Sequence, residues 1–146
     1  MEEEAMVKKL DHVGIAVNNL DESLPIYEGI LGVKPVSIRA VPTQGVRAAF
    51  FEVGNGVVVE LIEPLGSDTA VARFLERHGQ GIHHICFEVD DVDSELEAMA
   101  GKGISPVEPK GRLDMTGKIG FLHPKSTHGV LIELAQYGTP RDKDYR

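Results

Sequence analysis

Short runs of the chain alternate between apolar and polar residues, and two of these runs resemble each other. The first is KLDHVGIAV at 9–17, and the second is GIHHICFEV at 81–89. Successive side chains of a β-strand point to opposite faces of its sheet. The alternation therefore predicts a strand in each run, and only one of His83 and His84 can face whatever the second strand encloses.

The second half of the chain repeats the pattern of the first half. Three pairs of segments match in the same order, at offsets of 71 to 73 residues. The matched pairs are VGIAV with ICFEV (13–17 and 85–89), LGVKPV with KGISPV (31–36 and 102–107), and GVVVELIEP with GVLIELAQY (56–64 and 129–137). The first match aligns His12 with His84. Three ordered matches indicate two copies of one structural unit.

Each copy is predicted to form a strand, a helix and three further strands. The predicted segments are, in the first copy, strand 10–17, helix about 20–31 and strands near 34–41, 46–53 and 57–63, and in the second copy strand 82–89, helix 92–101 and strands near 104–109, 118–123 and 129–136. Asn18-Asn19 supplies the cap of the first helix and Gly32 ends it. A linking helix of about 68–78, capped by Ser67 or Asp68, joins the copies.

This order of elements predicts one α+β domain over residues 8–137 that contains two paired βαβββ modules. Module one covers about 8–66, the linking segment about 67–80, and module two about 81–137. The polar tail at 138–146 is expected to be loose.

Composition narrows the class of protein. Of the 146 residues, 42% are hydrophobic and 26% are charged, which is typical of a soluble globular domain. Neither a membrane-spanning run nor a signal peptide is evident. A net charge of −8 argues against nucleic acid as a partner. The single cysteine, Cys86, excludes an intrachain disulfide framework, so we expect a cytoplasmic protein.

Four polar residues recur at equivalent places in the two copies. His12 and His84 lie on strand faces with small neighbours, and Glu60 and Glu133 interrupt the apolar last strands VVVELIE and VLIELAQ. Isolated carboxylates are costly to bury. If the two copies curl together, two imidazoles and two carboxylates converge, which suits a divalent transition metal and leaves two positions of a six-coordinate ion open. A single strand histidine is more often structural; the recurrence of all four residues favours a metal site.

The other candidates are weaker. His78 and His83 are expected to face solvent, and His123 and His128 flank a loop. Cys86 is expected to be a small residue lining the pocket rather than a soft metal ligand.

Longer segments resemble a known family, the vicinal oxygen chelate (glyoxalase-like) superfamily, and within it the methylmalonyl-CoA epimerases. The resemblance covers about residues 8–137, and its specific segments are TQGV (43–46), EPLGSDTAVARFL (63–75), GIHHICFEVDD (81–91) and FLHPKSTHGVLIEL (121–134). It implies a cupped mixed sheet around a central metal ion. It also implies that (R)- and (S)-methylmalonyl-CoA are interconverted by proton exchange at C2 through a metal-stabilised enolate.

The resemblance also implies roles for individual residues. His12, His84 and Glu133 match the family's metal ligands, and Glu60 takes the place of a fourth ligand that is Gln in some members. Some epimerases have a glutamate base where this chain has Ala48. Because alanine cannot exchange a proton, Glu133 or Glu60 is the expected catalytic base.

A divalent ion (Co, Mn, Ni, Zn or Mg), a CoA thioester substrate and a homodimer are the cofactor and partners that the resemblance implies. Basic residues expected near CoA are Lys110, Arg112, Lys118 and Lys125. Three alternatives stay open: a lactoylglutathione lyase-type glyoxalase, an iron-dependent ring-cleaving dioxygenase, and a metal-free small-molecule-binding protein on the same fold.

Overall fold

The computed structural model describes residues 7–114 and 117–138. Within these ranges the chain forms eight strands and three α-helices. In chain order they are β1 (Val7–Ala16), α1 (Leu20–Leu31), β2 (Ser37–Val41), β3 (Val46–Glu52), β4 (Val58–Pro64), α2 (Ala70–His78), β5 (Gly81–Val89), α3 (Val92–Gly101), β6 (Arg112–Leu113), β7 (Gly117–Leu122) and β8 (Ile132–Tyr137). None of these helices is long and apolar enough to cross a membrane.

The strands form one mixed sheet in the order β2-β3-β4-β1-β5-β8-β7-β6. In both copies of the repeat the first strand pairs in parallel with the last, β1 with β4 and β5 with β8. The other strands of each copy pair in antiparallel fashion. The predicted α+β class with a mixed sheet is therefore confirmed, whereas the exact domain and module boundaries stay a prediction.

The chain divides into two compact units, of which one is His12–His83. In this unit α1 covers one face of the sheet, where Leu20 packs with Val17, Phe51 and Leu61. The linking helix α2 packs through Val71 against the other face. The apolar side of β1 thus lies under α1, as its alternation predicts.

The other unit consists of the described residues before and after that range. Here α3 covers the sheet, and its residues Val92 and Leu96 pack with Val89, Leu122 and Leu134. Tyr137 at the end of β8 donates a hydrogen bond of 2.6 Å from its hydroxyl to the Asp11 carboxylate of β1.

Helix α1 begins and ends where the sequence predicts. The Asn19 side chain accepts a hydrogen bond from the backbone N–H of Glu22 at 2.9 Å. Gly32 ends the helix in the left-handed conformation, with φ of 73°, which glycine adopts at little cost. Pro25 lies inside the helix.

The predicted cap of the linking helix is wrong. Helix α2 begins at Ala70, and its cap is Thr69, whose hydroxyl oxygen accepts from the backbone N–H of Ala72 at 3.1 Å. Asp68 instead uses its backbone carbonyl, which accepts from the Arg73 guanidinium at 2.9 Å. Neither Ser67 nor Asp68 caps the helix.

The predicted strand at 104–109 is also wrong. This stretch makes one isolated bridge, between Pro106 and Leu122, and the strand beside β7 is the two-residue β6. Proline has no backbone N–H to donate to a ladder, so Pro106 and Pro109 prevent a longer strand here. Of the predicted tail, residues 139–146 lie outside the described residues.

Candidate metal-binding site

The first predicted ligand pair lies on two neighbouring strands. The register of β1 and β4 places Gly14 opposite Glu60. The Glu60 carboxylate therefore reaches along β1 past a residue without a side chain, and its Oε1 lies 3.8 Å from Nε2 of His12. The side chains of His12 and Glu60 are 7% and 12% exposed.

The second pair has the equivalent geometry in the second copy. The register of β5 and β8 places Cys86 opposite Glu133. Oε1 of Glu133 lies 3.3 Å from Nε2 of His84, and both side chains are only 3% exposed. Each histidine thus lies close to the glutamate of its own copy.

The donor atoms of these pairs fit a divalent metal ion. Burying a carboxylate costs several kcal/mol unless a cation or hydrogen-bond donors compensate it. Neutral imidazole and carboxylate groups are suitable ligands for borderline divalent metals. The described residues include groups of His and Glu side chains that could hold an ion, and His84 and Glu133 belong to one such group.

Burial distinguishes the two adjacent histidines of β5. His84 is buried, so it is the one that faces the enclosed side of its strand. His83 is half-buried on the opposite side, where its ring packs edge-on against Phe74 with centroids 4.9 Å apart. His78 is exposed and also contacts Phe74, which gives both residues a packing role.

The loop histidines are exposed. His123 accepts a hydrogen bond at Nδ1 from the backbone N–H of Lys125, at 3.1 Å. His128 adopts a positive φ of 58°. The cysteine, Cys86, is fully buried on the strand that carries His84.

The basic residues predicted near CoA differ in their surroundings. Lys110, Arg112 and Lys125 are exposed. Lys118 is half-buried, and its ammonium lies 2.7 Å from the Asp93 carboxylate. The hydrogen bond from Lys118, together with one from the backbone N–H of Gly111, lowers the pKa of Asp93, and Asp93 in turn raises the pKa of Lys118. Lys118 is thus held on α3 in this structure.

Two buried carboxylates were missed from the sequence. Asp11 is fully buried and accepts the hydrogen bond from Tyr137. Glu88 is buried on β5, with Lys8 at 3.9 Å. Each stands in an apolar-alternating strand, which is the signal that singled out Glu60 and Glu133, but neither has an acidic equivalent in the other copy.

Comparison with known proteins identifies the family of this chain. The family model of the Glyoxalase/Bleomycin resistance protein/Dioxygenase superfamily matches residues 11–121. An ethylmalonyl-CoA/methylmalonyl-CoA epimerase of Cereibacter sphaeroides is 37% identical over 136 residues, which cover 90% of this chain and 99% of the relative.

Two solved structures are similar along almost their whole length. The methylmalonyl-CoA epimerase of Mycobacterium tuberculosis has a TM-score of 0.85 and 34% identity, covering 95% of this chain and 94% of that one. A methylmalonyl-CoA epimerase in complex with methylmalonyl-CoA and NH4+ has a TM-score of 0.81 and 33% identity, covering 92% and 97%. By its sequence and its fold, this chain belongs to the Glyoxalase/Bleomycin resistance protein/Dioxygenase superfamily.

Proposed function

We propose that this chain is a metal-dependent epimerase that interconverts (R)- and (S)-methylmalonyl-CoA. One observation carries the proposal: a chain that is 37% identical to an epimerase over 99% of that relative also has a His–Glu pair at equivalent places of its two copies, with His12, His84 and Glu133 buried and Glu60 half-buried. The names of the relatives above describe enzymes that act on CoA thioesters. This favours an epimerase over a glutathione-dependent lyase or a dioxygenase.

In this proposal His12, Glu60, His84 and Glu133 together hold one divalent ion, which is Co, Mn, Ni, Zn or Mg. The two carboxylates balance its charge, and two coordination positions stay open for the substrate. When bound, the ion supplies a Lewis acid for the negative charge that develops on the thioester oxygen.

Proton transfer falls to the carboxylates of the chain. Glu133 is the more buried of the two, and we assign it the removal of the C2 proton. Transfer of that proton to the Glu133 carboxylate leaves a planar enolate. Glu60, once it has taken up a proton from solvent, is the candidate that returns a proton to the opposite face and gives the other epimer. Ala48 is buried in β3 and has no group that could exchange a proton.

Further assignments complete the proposal. Lys110, Lys118 and Lys125 are proposed contacts of CoA, which for Lys118 requires sharing its ammonium with Asp93. A homodimer is proposed from the family resemblance, and sedimentation of the purified protein tests it. A cytoplasmic location is proposed from the single cysteine, Cys86, which is buried.

The test is proton NMR of methylmalonyl-CoA in D2O with metal-loaded and chelator-stripped protein. We expect exchange at C2 only with metal, and one bound ion per chain by elemental analysis. Two ions per chain would contradict a shared site, and no exchange with metal present would contradict the epimerase. Turnover of the hemithioacetal of methylglyoxal and glutathione in place of exchange would support the lyase.

A further inference from the structure

Arg39 lies on the same sheet face as the first ligand pair. In the unit His12–His83, Arg39 of β2 is directly opposite Ala48 of β3. On β3, Ala48 and Phe50 share one face, and Phe50 is directly opposite Glu60 of β4. Residues that are opposite in antiparallel strands point to the same side, so Arg39 and Glu60 share a face.

The guanidinium of Arg39 extends along this face rather than away from it. Its carbon lies 5.3 Å from the centre of the Phe50 ring, which is within the range of a cation–π contact. Arg39 is half-buried, whereas Ala48, Phe50 and Ile62 around it are buried apolar residues. The cation therefore lies over an apolar floor, formed by Ala48, Phe50 and Ile62, and extends toward β4, the strand that carries Glu60.

Such a cation suits a small carboxylate. A planar guanidinium offers two parallel N–H donors to a carboxylate, and the interaction is strongest where water is partly excluded. The two strand spacings between β2 and β4 amount to about 10 Å. The Arg39 side chain covers part of this distance, because its guanidinium lies over Phe50, which is directly opposite Glu60. A carboxylate bonded to a reacting carbon near Glu60 can therefore point toward the guanidinium.

We propose that Arg39 binds the free carboxylate of the acyl group and selects carboxylated thioesters over simple acyl thioesters. This inference rests on the proposed function, because it assumes an acyl-CoA substrate at the face that holds Glu60. The apolar floor favours the acyl carboxylate over the hydrated phosphates of CoA. Arg47, on the next strand, faces the other way and pairs with Asp21 at 3.3 Å.

The test measures binding by calorimetry with metal-loaded protein. Methylmalonyl-CoA and propionyl-CoA, which differ by the carboxylate alone, are titrated into the wild type, Arg39→Met, Arg39→Lys and the charge-matched control Arg47→Met. We expect Arg39→Met to weaken methylmalonyl-CoA binding at least about tenfold, as for a hydrogen-bonded charged group, and to leave propionyl-CoA binding within about twofold. Arg39→Lys should be intermediate because it keeps the charge without the fork.

Each outcome decides the inference. An equal loss of affinity for both thioesters in Arg39→Met would mean that Arg39 contacts CoA or supports the fold, and would overturn the inference. An unchanged preference in Arg39→Met, or a wild type that prefers neither thioester, would overturn it too. Circular dichroism of every variant checks the fold. If the wild type prefers methylmalonyl-CoA through Arg39 but shows no C2 exchange, the proposed function fails and the inference stands; exchange without an effect of Arg39 gives the reverse.

Discussion

Both copies of the repeat tie the start of their helix to the end of their last strand, but they use different side chains. In the first copy the backbone N–H of Leu20 donates to the Glu63 carboxylate at 3.0 Å. In the second copy the N–H of Val92 donates to the side-chain oxygen of Gln136 at 2.9 Å. The charged version has Arg47 at 3.8 Å from Glu63. The backbone geometry is thus repeated while the charge is not.

The ligand pairs differ in the same way. The first pair is wider, at 3.8 Å, and the Glu60 side chain is 12% exposed, whereas the second pair lies at 3.3 Å and Glu133 is 3% exposed. A carboxylate that is more completely removed from water interacts more strongly with its surroundings. Equivalent positions in a duplicated fold can therefore carry unequal shares of the chemistry.

The largest predicted effect separates the two carboxylates. Glu133→Gln should lower kcat for C2 exchange by about 10²–10⁴-fold, because it removes the proposed base. Glu60→Gln should lower C2 exchange less, since Glu133 can still remove and exchange the proton, although conversion to the other epimer also needs Glu60. Exchange is measured by NMR, and the metal content of each variant shows whether the ion was lost. An equal or larger loss in Glu60→Gln would reverse the assignment.

A smaller effect is expected where the helices approach the sheet. Gly120 is opposite Leu134, and its equivalent Ala49 is opposite Leu61. A Cβ at Gly120 would lie 2.8 Å from a methyl carbon of Leu96, so Gly120→Ala should lower the free energy of unfolding by about 1–3 kcal/mol through overpacking. Urea unfolding of the variant measures this.

The matched control is a double variant. Adding Leu96→Ala should remove part of the penalty of Gly120→Ala, because the clash partner is then shorter. Strictly additive penalties, or a neutral Gly120→Ala, would mean that α3 does not lie closer to its sheet at Gly120 than α1 does at the equivalent Ala49.

The smallest effect concerns the ion pairs at the helix starts. Asp93 receives hydrogen bonds of 2.7 Å from both Lys118 and the N–H of Gly111, whereas Asp21 meets Arg47 at 3.3 Å. Asp93→Asn should therefore lower stability at pH 7 more than Asp21→Asn.

The pH dependence of this effect has a defined sign. Because the pKa of Asp93 is lowered in the folded protein, its stabilisation is present above the ordinary Asp pKa of about 4 and disappears as the pH falls through the lowered value. Urea unfolding of Asp93→Asn and the wild type across this acidic range should show the two converge. A constant difference would contradict the ion pair as the source.

The sequence predicted the repeated parts best. The strands β1 and β5 and the helices α1 and α3 follow from patterns that occur twice, so each copy supports the other. The same recurrence singles out the four residues of the proposed metal site. The cap of α2 was missed because Ser67, Asp68 and Thr69 can all serve as caps, and local pattern cannot choose among them.

Features that depend on tertiary pairing were beyond the sequence. The segment 104–109 matched a strand in the first copy, but Pro106 and Pro109 remove the donors that a ladder needs. The sequence around Lys118 predicts a solvent-exposed residue at the rim of the site. Only the packing of α3 beside β7 brings Lys118 to Asp93. Nothing in the sequence of its strand distinguishes Arg39. Only its register with Ala48 places it on the sheet face that carries Glu60.

The parallel pairing of the first and last strands within each copy also bears on how the protein folds. His12 and Glu60 are 48 residues apart in sequence, and His84 and Glu133 are 49 apart. Contacts between such distant residues form slowly, because a long loop must close before they are gained. The proposed metal site is consequently not formed early in folding, in contrast to the site of a zinc finger, whose ligands are a few residues apart. The first and last strands of each copy must pair before its His–Glu pair is formed.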